Sequence, residues 1–344
     1  MSTESPIPAL FRALVDDAAL FPPGNAPMSV AVAEHRHHRS APYTDLVGPL
    51  LLPAARWSEL VDCLDAGLGG PTAPRGIDPA PRDVGPGAPG GTDRAGSGAP
   101  HAGGPDRPLG ARPPRLDIGL IGPVDALEAV VADVRAEPRV ELRQLECPVG
   151  AEPGAVEDAS ARLAAMIASL VDGTVRRYVE LPRGPHLLDG VDALAGTGAR
   201  AKLRTGGLVA EAFPTEAELA GFVDRCRAHD LSFKLTAGLH HAVRHTAAAT
   251  GFEHHGYLNV LAAVCLGALP DPPFAGTEQA LACRDAGPLA EVARAVLARP
   301  GGTRGCFASY GSCSVAEPLT DLVELGLLDP DLLSHLPAPR KAHA

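Results

Sequence analysis

Read for its hydrophobic and polar positions, the chain alternates short apolar runs with longer amphipathic stretches. The runs expected as strands are 18–21, 45–52, 116–121, 140–147, 177–181, 199–204, 232–236 and 306–310. Between them, residues 124–136, 156–170, 216–229 and 289–298 carry apolar side chains at helical spacing. Eight strands separated by helices predict a (β/α)8 TIM barrel, with a doubly wound open sheet as the alternative. No G-x-G-x-x-G follows an early strand, which removes the open sheet's usual nucleotide signature.

Residues 69–114 break the pattern. Of these 46 positions 23 are Gly or Pro and almost none is apolar, so the segment cannot bury enough surface to offset its ordering entropy. It is expected as a disordered insertion. The barrel is then assigned to residues 1–68, holding the first two βα units, and to 115–336, with a flexible tail at 337–344.

Composition narrows the function classes. An apolar content of 45% supports a packed core, and 4% aromatic residues mean that Leu, Val and Ala fill it. A net charge of −11 argues against a nucleic-acid surface, which needs a basic face. No apolar run approaches the length of a spanning helix, so no membrane partner is expected. Seven scattered cysteines without a C-x-x-C pair, and no secretion signal, read as reduced thiols of a cytoplasmic protein. Self-association into a homo-oligomer is compatible with all of this.

Within that frame the lysines stand out. The chain has only Lys202, Lys234 and Lys341 against 27 arginines, and the first two lie inside strand-like runs. An ammonium can lose its proton and attack a carbonyl, whereas a guanidinium stays charged. Side chains alternate faces along a strand, so Ala201, Leu203, Phe233 and Leu235 suit the helix layer. That turns Lys202, Arg204, Lys234 and Thr236 inward; the same rule sets Gln144 with Glu146, and Glu180 opposite Val179 and Leu181. Barrel enzymes carry their sites at the carboxyl ends of the strands, where Glu146, Glu180, Lys202, Arg204 and Lys234 are expected to meet. Two neighbouring ammonium groups would repel, favouring a neutral amine on one of them. Thr205, Gly206 and Gly207, then Gly238, then Gly311 and Ser312, follow the last strands and are candidates to cradle a substrate anion.

These residues resemble a known group. Lys202-x-x-Thr205-Gly206, followed after a helix by Lys234-x-x-x-Gly238-Leu239, is similar to the sixth and seventh strands of class I aldolases of the deoxyribose-phosphate aldolase type. The resemblance covers about 40 of the 344 residues. It implies that Lys202 is the Schiff-base residue and Lys234 the neighbour that tunes it, and it makes Asp117 a candidate for the family's central aspartate. Arg204 stands where the family has a small serine, Ala237 where it has the first glycine of a pair, and His240-His241 where it continues Ile-Arg.

Histidines form a second constellation. His240, His241, His254 and His255 follow the seventh strand and offer an alternative divalent-metal site, completed by Glu146 or Glu180. His240 or His241 is also a candidate general acid–base. His35, His37 and His38 are expected on a polar helix face, and Asp16-Asp17 as the cap of the first element.

The leading expectation is a lyase of aldolase type acting on a small anionic carbonyl compound without a cofactor. Lys202 or Lys234 attacks, Glu180, Glu146 or His240 moves protons, and Arg204 grips the anion. Its rivals are a metal-dependent lyase, hydrolase or isomerase using the histidine loop, and a barrel that only binds or scaffolds.

Overall fold

Eight short strands close into an all-parallel barrel in the computed structural model, which describes residues 5–67, 115–150 and 156–337. The insertion expected at 69–114 and the tail beyond Pro337 lie outside the described residues. In chain order the strands are β1 (Val15–Asp17), β2 (Val47–Pro53), β3 (Leu116–Ile121), β4 (Val140–Pro148), β5 (Arg176–Leu181), β6 (Arg200–Arg204), β7 (Phe233–Thr236), the pair β8 (His245–Thr246) and β9 (Glu253–His254), and β10 (Phe307–Ser312). Around the barrel the order is β1-β10-β7-β6-β5-β4-β3-β2, and β8 with β9 forms a separate antiparallel hairpin in the loop after β7. Seven barrel strands fall within two residues of their expected bounds. The first does not: the barrel uses Val15–Asp17, and the apolar run at 18–21 is the turn that follows.

The helices are α1 (Met28–Ser40), α2 (Trp57–Asp65), α3 (Val124–Ala136), α4 (Val156–Leu170), α5 (Leu187–Leu194), α6 (Glu216–Ala228), α7 (Tyr257–Cys265), α8 (Thr277–Ala282), α9 (Ala286–Leu297) and α10 (Ala316–Glu324). Local sequence explains where they start and which face they bury. In α3, Leu127, Val131 and Val134 recur at helical spacing and are buried. A capping box opens α6: the Thr215 hydroxyl accepts from Glu218 N at 3.2 Å, and the Glu218 carboxylate accepts from Thr215 N at 2.8 Å. Every residue of α7 is buried, as expected of a helix apolar all round and covered by α8 and α9. Phe233 packs edge-on against Phe222 of α6 at 5.3 Å between ring centroids, so the odd positions of β7 face the helices. No helix among the described residues is long and apolar enough to cross a membrane.

Two local features anchor the first strand. Arg304, just before β10, donates to the carbonyls of Leu10 at 2.9 Å and Arg12 at 2.8 Å, tying the N-terminal segment to the barrel wall. Behind β1, His35 Nδ1 lies 2.9 Å from Asp17 Oδ2, and His38 Nδ1 lies 3.0 Å from the Tyr43 hydroxyl. His35 and His38 are therefore buried rather than on a polar helix face, because each finds a polar partner in the core. His37 alone of the three is exposed.

Candidate active site

Strand register brings the charged residues into layers. Glu180 is opposite Lys202, Lys202 opposite Lys234, and Lys234 opposite Ser309, across β5, β6, β7 and β10. One step nearer the strand ends, Arg204, Thr236 and Gly311 are neighbours. Beneath the lysine layer the Tyr178 ring centroid lies 5.4 Å from Lys234 Nζ.

The two lysines do not face each other directly, because Glu146 stands between them. Its Oε1 accepts from Lys234 Nζ at 2.6 Å, and its Oε2 is 2.5 Å from Lys202 Nζ. Lys202 Nζ is also 2.8 Å from Glu180 Oε2, and Lys234 donates to Asp16 Oδ2. Gln144 Nε2 donates to Asp16 Oδ2 at 3.0 Å and to Glu146 Oε1 at 2.8 Å, and Ser309 donates to Asp16 Oδ2 at 3.0 Å. Asp16 needs close backbone on its other side: a Cβ on Gly48 would sit 2.1 Å from Asp16 Oδ1.

The side chains of Asp16, Glu146 and Lys234 are 0% exposed, Lys202 is 2% and Glu180 is 14%, so the cluster opens to solvent only at Glu180. Burying single ions here would cost several kcal/mol each, and mutual pairing offsets that cost. Burial pushes the Glu146 carboxyl up, but the ammonium groups of Lys202 and Lys234 outweigh it and hold the group down at about 2. Burial pulls Lys234 down, and the Asp16 and Glu146 carboxylates outweigh it, so this ammonium is held above the usual lysine value. The expected repulsion between bare ammonium groups is thus replaced by a carboxylate bridge, and Lys234 is the more firmly protonated for it.

At the rim, Arg204 is 54% exposed with Nη1 4.0 Å from Glu180 Oε1. The loop beyond it projects Leu208 and Val209, 91% and 55% exposed, into solvent. Thr205 is buried, and its hydroxyl donates to Ala237 O at 2.7 Å, so it ties the β6 and β7 loops together and leaves no free donor for a ligand. Gly206 and Gly238 are needed at that junction: a Cβ on Gly206 would lie 3.0 Å from Gly238 Cα. Ala237 has φ +64°, a left-handed conformation that favours glycine. Gly207 is exposed, Gly311 is buried beside the Thr236 hydroxyl, and the Ser312 hydroxyl accepts from Ser314 N at 3.3 Å.

The histidine rings come close, His241 lying 5.0 Å from His245 between centroids, but their nitrogens go to separate partners. His240 Nδ1 is 3.1 Å from Glu317 Oε2 and 3.8 Å from Cys313 Sγ, while His241 Nδ1 is 3.3 Å from Asp321. His254 Nδ1 bonds Gly238 O at 3.0 Å, and His255 Nε2 bonds Pro214 O at 2.7 Å. Among the described residues no group of three His, Cys, Asp or Glu is arranged to hold a metal ion. Neither Glu146 nor Glu180 joins them, since both carboxylates are committed to lysines. Hairpin pairing sets His245 opposite His254, with their rings tilted by 31° at 5.2 Å between centroids.

Asp16, Gln144, Ser309 and Tyr178 are the members of the cluster that sequence reasoning missed as site residues. Asp16 is a full partner of Lys234 rather than a cap. Asp117 lies elsewhere, 2.8 Å from Arg143 and 3.3 Å from Arg39 at the opening end of β3. The available signal for Asp16 was a pair of acids directly before the Ala-Ala-Leu-Phe-Pro-Pro turn, the C-terminal end of a first strand. Comparison with protein-family models, with curated proteins and with solved structures gives no match to the chain.

Proposed function

We propose that the protein is a carbon–carbon lyase of aldolase type that binds a small anionic carbonyl compound as a Schiff base on Lys202. The observation that carries this reading is the position of Lys202 Nζ, 2.8 Å from Glu180 Oε2, where Glu180 is the one carboxylate of the cluster open to solvent. Lys234 is unsuited to attack because it stays protonated between Asp16 and Glu146. Its role is to hold those two carboxylates in place.

In the proposed reaction Glu180 takes a proton from Lys202, and the free amine attacks the substrate carbonyl carbon. Glu180 returns the proton to the departing hydroxyl, water leaves, and an iminium forms. Glu180, again a carboxylate, then takes the proton of the hydroxyl on the β carbon. That carbon becomes a carbonyl and departs as the α–β carbon–carbon bond breaks, and its electron pair passes into the iminium to give an enamine. Glu180 returns the proton to the α carbon, and hydrolysis of the resulting imine frees the lysine. Arg204, exposed at the rim on the same strand, grips the substrate's carboxylate or phosphate through its planar fork. Seven free thiols fit a reducing compartment such as the cytoplasm.

The reading is tested by incubating the protein with a panel of small aldehydes and keto acids that carry a carboxylate or phosphate, in the presence of cyanoborohydride. A stable gain in intact mass with at least one compound is expected. No gain with any of them, in a protein that remains folded, would rule out the imine.

A further inference from the structure

All seven cysteines are free thiols, but their surroundings differ. Cys63, Cys147, Cys226, Cys265 and Cys306 are buried, and burial pushes these thiols up, Cys147 and Cys265 to about 12 and Cys306 to about 11. Such thiols are inert packing elements. Cys283 and Cys313 are both partly exposed. Cys283 Sγ donates to the Asp285 carbonyl at 3.3 Å, whereas Cys313 Sγ is 3.8 Å from His240 Nδ1. His240 is fixed in turn by Glu317 Oε2 at 3.1 Å and is 21% exposed. Hydrogen bonds to the Cys313 sulfur and the Glu317 carboxylate raise this imidazole to about 10, so it presents a cation to the sulfur at neutral pH.

The position matters as much as the pairing. Cys313 follows β10 and His240 follows β7, neighbouring strands whose carboxyl ends form the barrel mouth. On its other side Cys313 touches the loop after β1, where a Cβ on Gly24 would come 3.0 Å from Cys313 Cβ. The sulfur is thus set beside an imidazole on one side and against a close-packed loop on the other, an arrangement that neither the buried thiols nor Cys283 has.

We propose that Cys313, assisted by His240, is a nucleophilic thiol site at the barrel mouth that takes up small soft carbon electrophiles such as conjugated carbonyl compounds. In the reaction the sulfur forms a bond to the β carbon, the C=C π pair shifts to the α carbon, and that carbon takes the proton supplied through His240. The thiol proton restores His240, so the addition is balanced without a further reagent. The site does not depend on the lysine chemistry and stands or falls separately from it.

The experiment uses the full chain and iodoacetamide as probe: sulfur displaces iodide, forming S–C as C–I breaks, and peptide mass spectrometry follows each cysteine over time at neutral pH. Cys313 is expected to react about tenfold faster than Cys283, its partly exposed internal control. In His240→Gln the Cys313 rate is expected to fall to that of Cys283, with Cys283 unchanged. Equal labelling of the two thiols in the native protein overturns the proposal, and this comparison needs no variant to fold. A fast Cys313 that stays fast in His240→Gln overturns it equally.

Discussion

Replacing Lys234 by methionine removes the cation that Asp16 and Glu146 share while keeping much of the side-chain volume. Breaking a buried ion pair by deleting one partner costs about 3–5 kcal/mol, because the other charge is left without compensation. Here Asp16 keeps Gln144 and Ser309 as donors, and Glu146 keeps Gln144 and the Lys202 ammonium. The loss is therefore placed at the lower end, about 3 kcal/mol, against a total stability of about 5–15 kcal/mol for a domain. Its pH dependence carries a definite sign. Glu146 is held at about 2 in the folded protein against an ordinary value of 4.5, so its ionised form contributes stability above that ordinary value and loses it as pH falls toward 2. In Lys234→Met the depression is relieved in part, since Lys202 still lowers Glu146, so the wild-type advantage is full near neutral pH and shrinks through the carboxylate range. Urea unfolding followed by circular dichroism at about pH 7 and about pH 4 measures both quantities. A loss below about 1 kcal/mol at neutral pH, or one equally large at both values, would refute the reasoning.

Three further outcomes follow from individual residues. Arg204→Lys keeps the charge and loses the planar fork, so KM for an anionic substrate is expected to rise about tenfold with kcat little changed, read from steady-state kinetics. Ala237→Gly relieves a left-handed alanine at φ +64° and is expected to stabilise the protein by about 1 kcal/mol, seen as a higher urea midpoint. His35→Leu strips Asp17 Oδ2 of its 2.9 Å partner in the core and is expected to cost about 2–3 kcal/mol in the same assay, whereas exposed His37→Leu leaves the midpoint unchanged.

Most of the barrel was legible in the chain because apolar runs of period two and amphipathic stretches of period 3.6 persist wherever packing alone decides the residue. The first strand was misplaced for the opposite reason. Asp16 and Asp17 put two carboxylates where a buried strand ordinarily carries aliphatic side chains, and their compensation comes from Lys234 and His35, which are far away in sequence. Alternation turned Lys202, Lys234, Glu146 and Glu180 inward because it needs only local sequence. It does not reveal that Glu146 bridges both lysines, since that depends on the relative height of β4, β6 and β7 in the closed barrel. The histidine loop misled in a related way: density along the chain suggested a shared ligand, while the hairpin of β8 and β9 sets the rings side by side and sends their nitrogens to separate partners.

The central claim is that Lys202 rather than Lys234 forms the imine. Peptide mapping of the protein after reaction with a carbonyl substrate and cyanoborohydride tests it most directly. The account predicts the reduced adduct on the Lys202 peptide, none on the Lys234 peptide, and loss of the adduct in Lys202→Met; an adduct on Lys234 with Lys202 unmodified would contradict it.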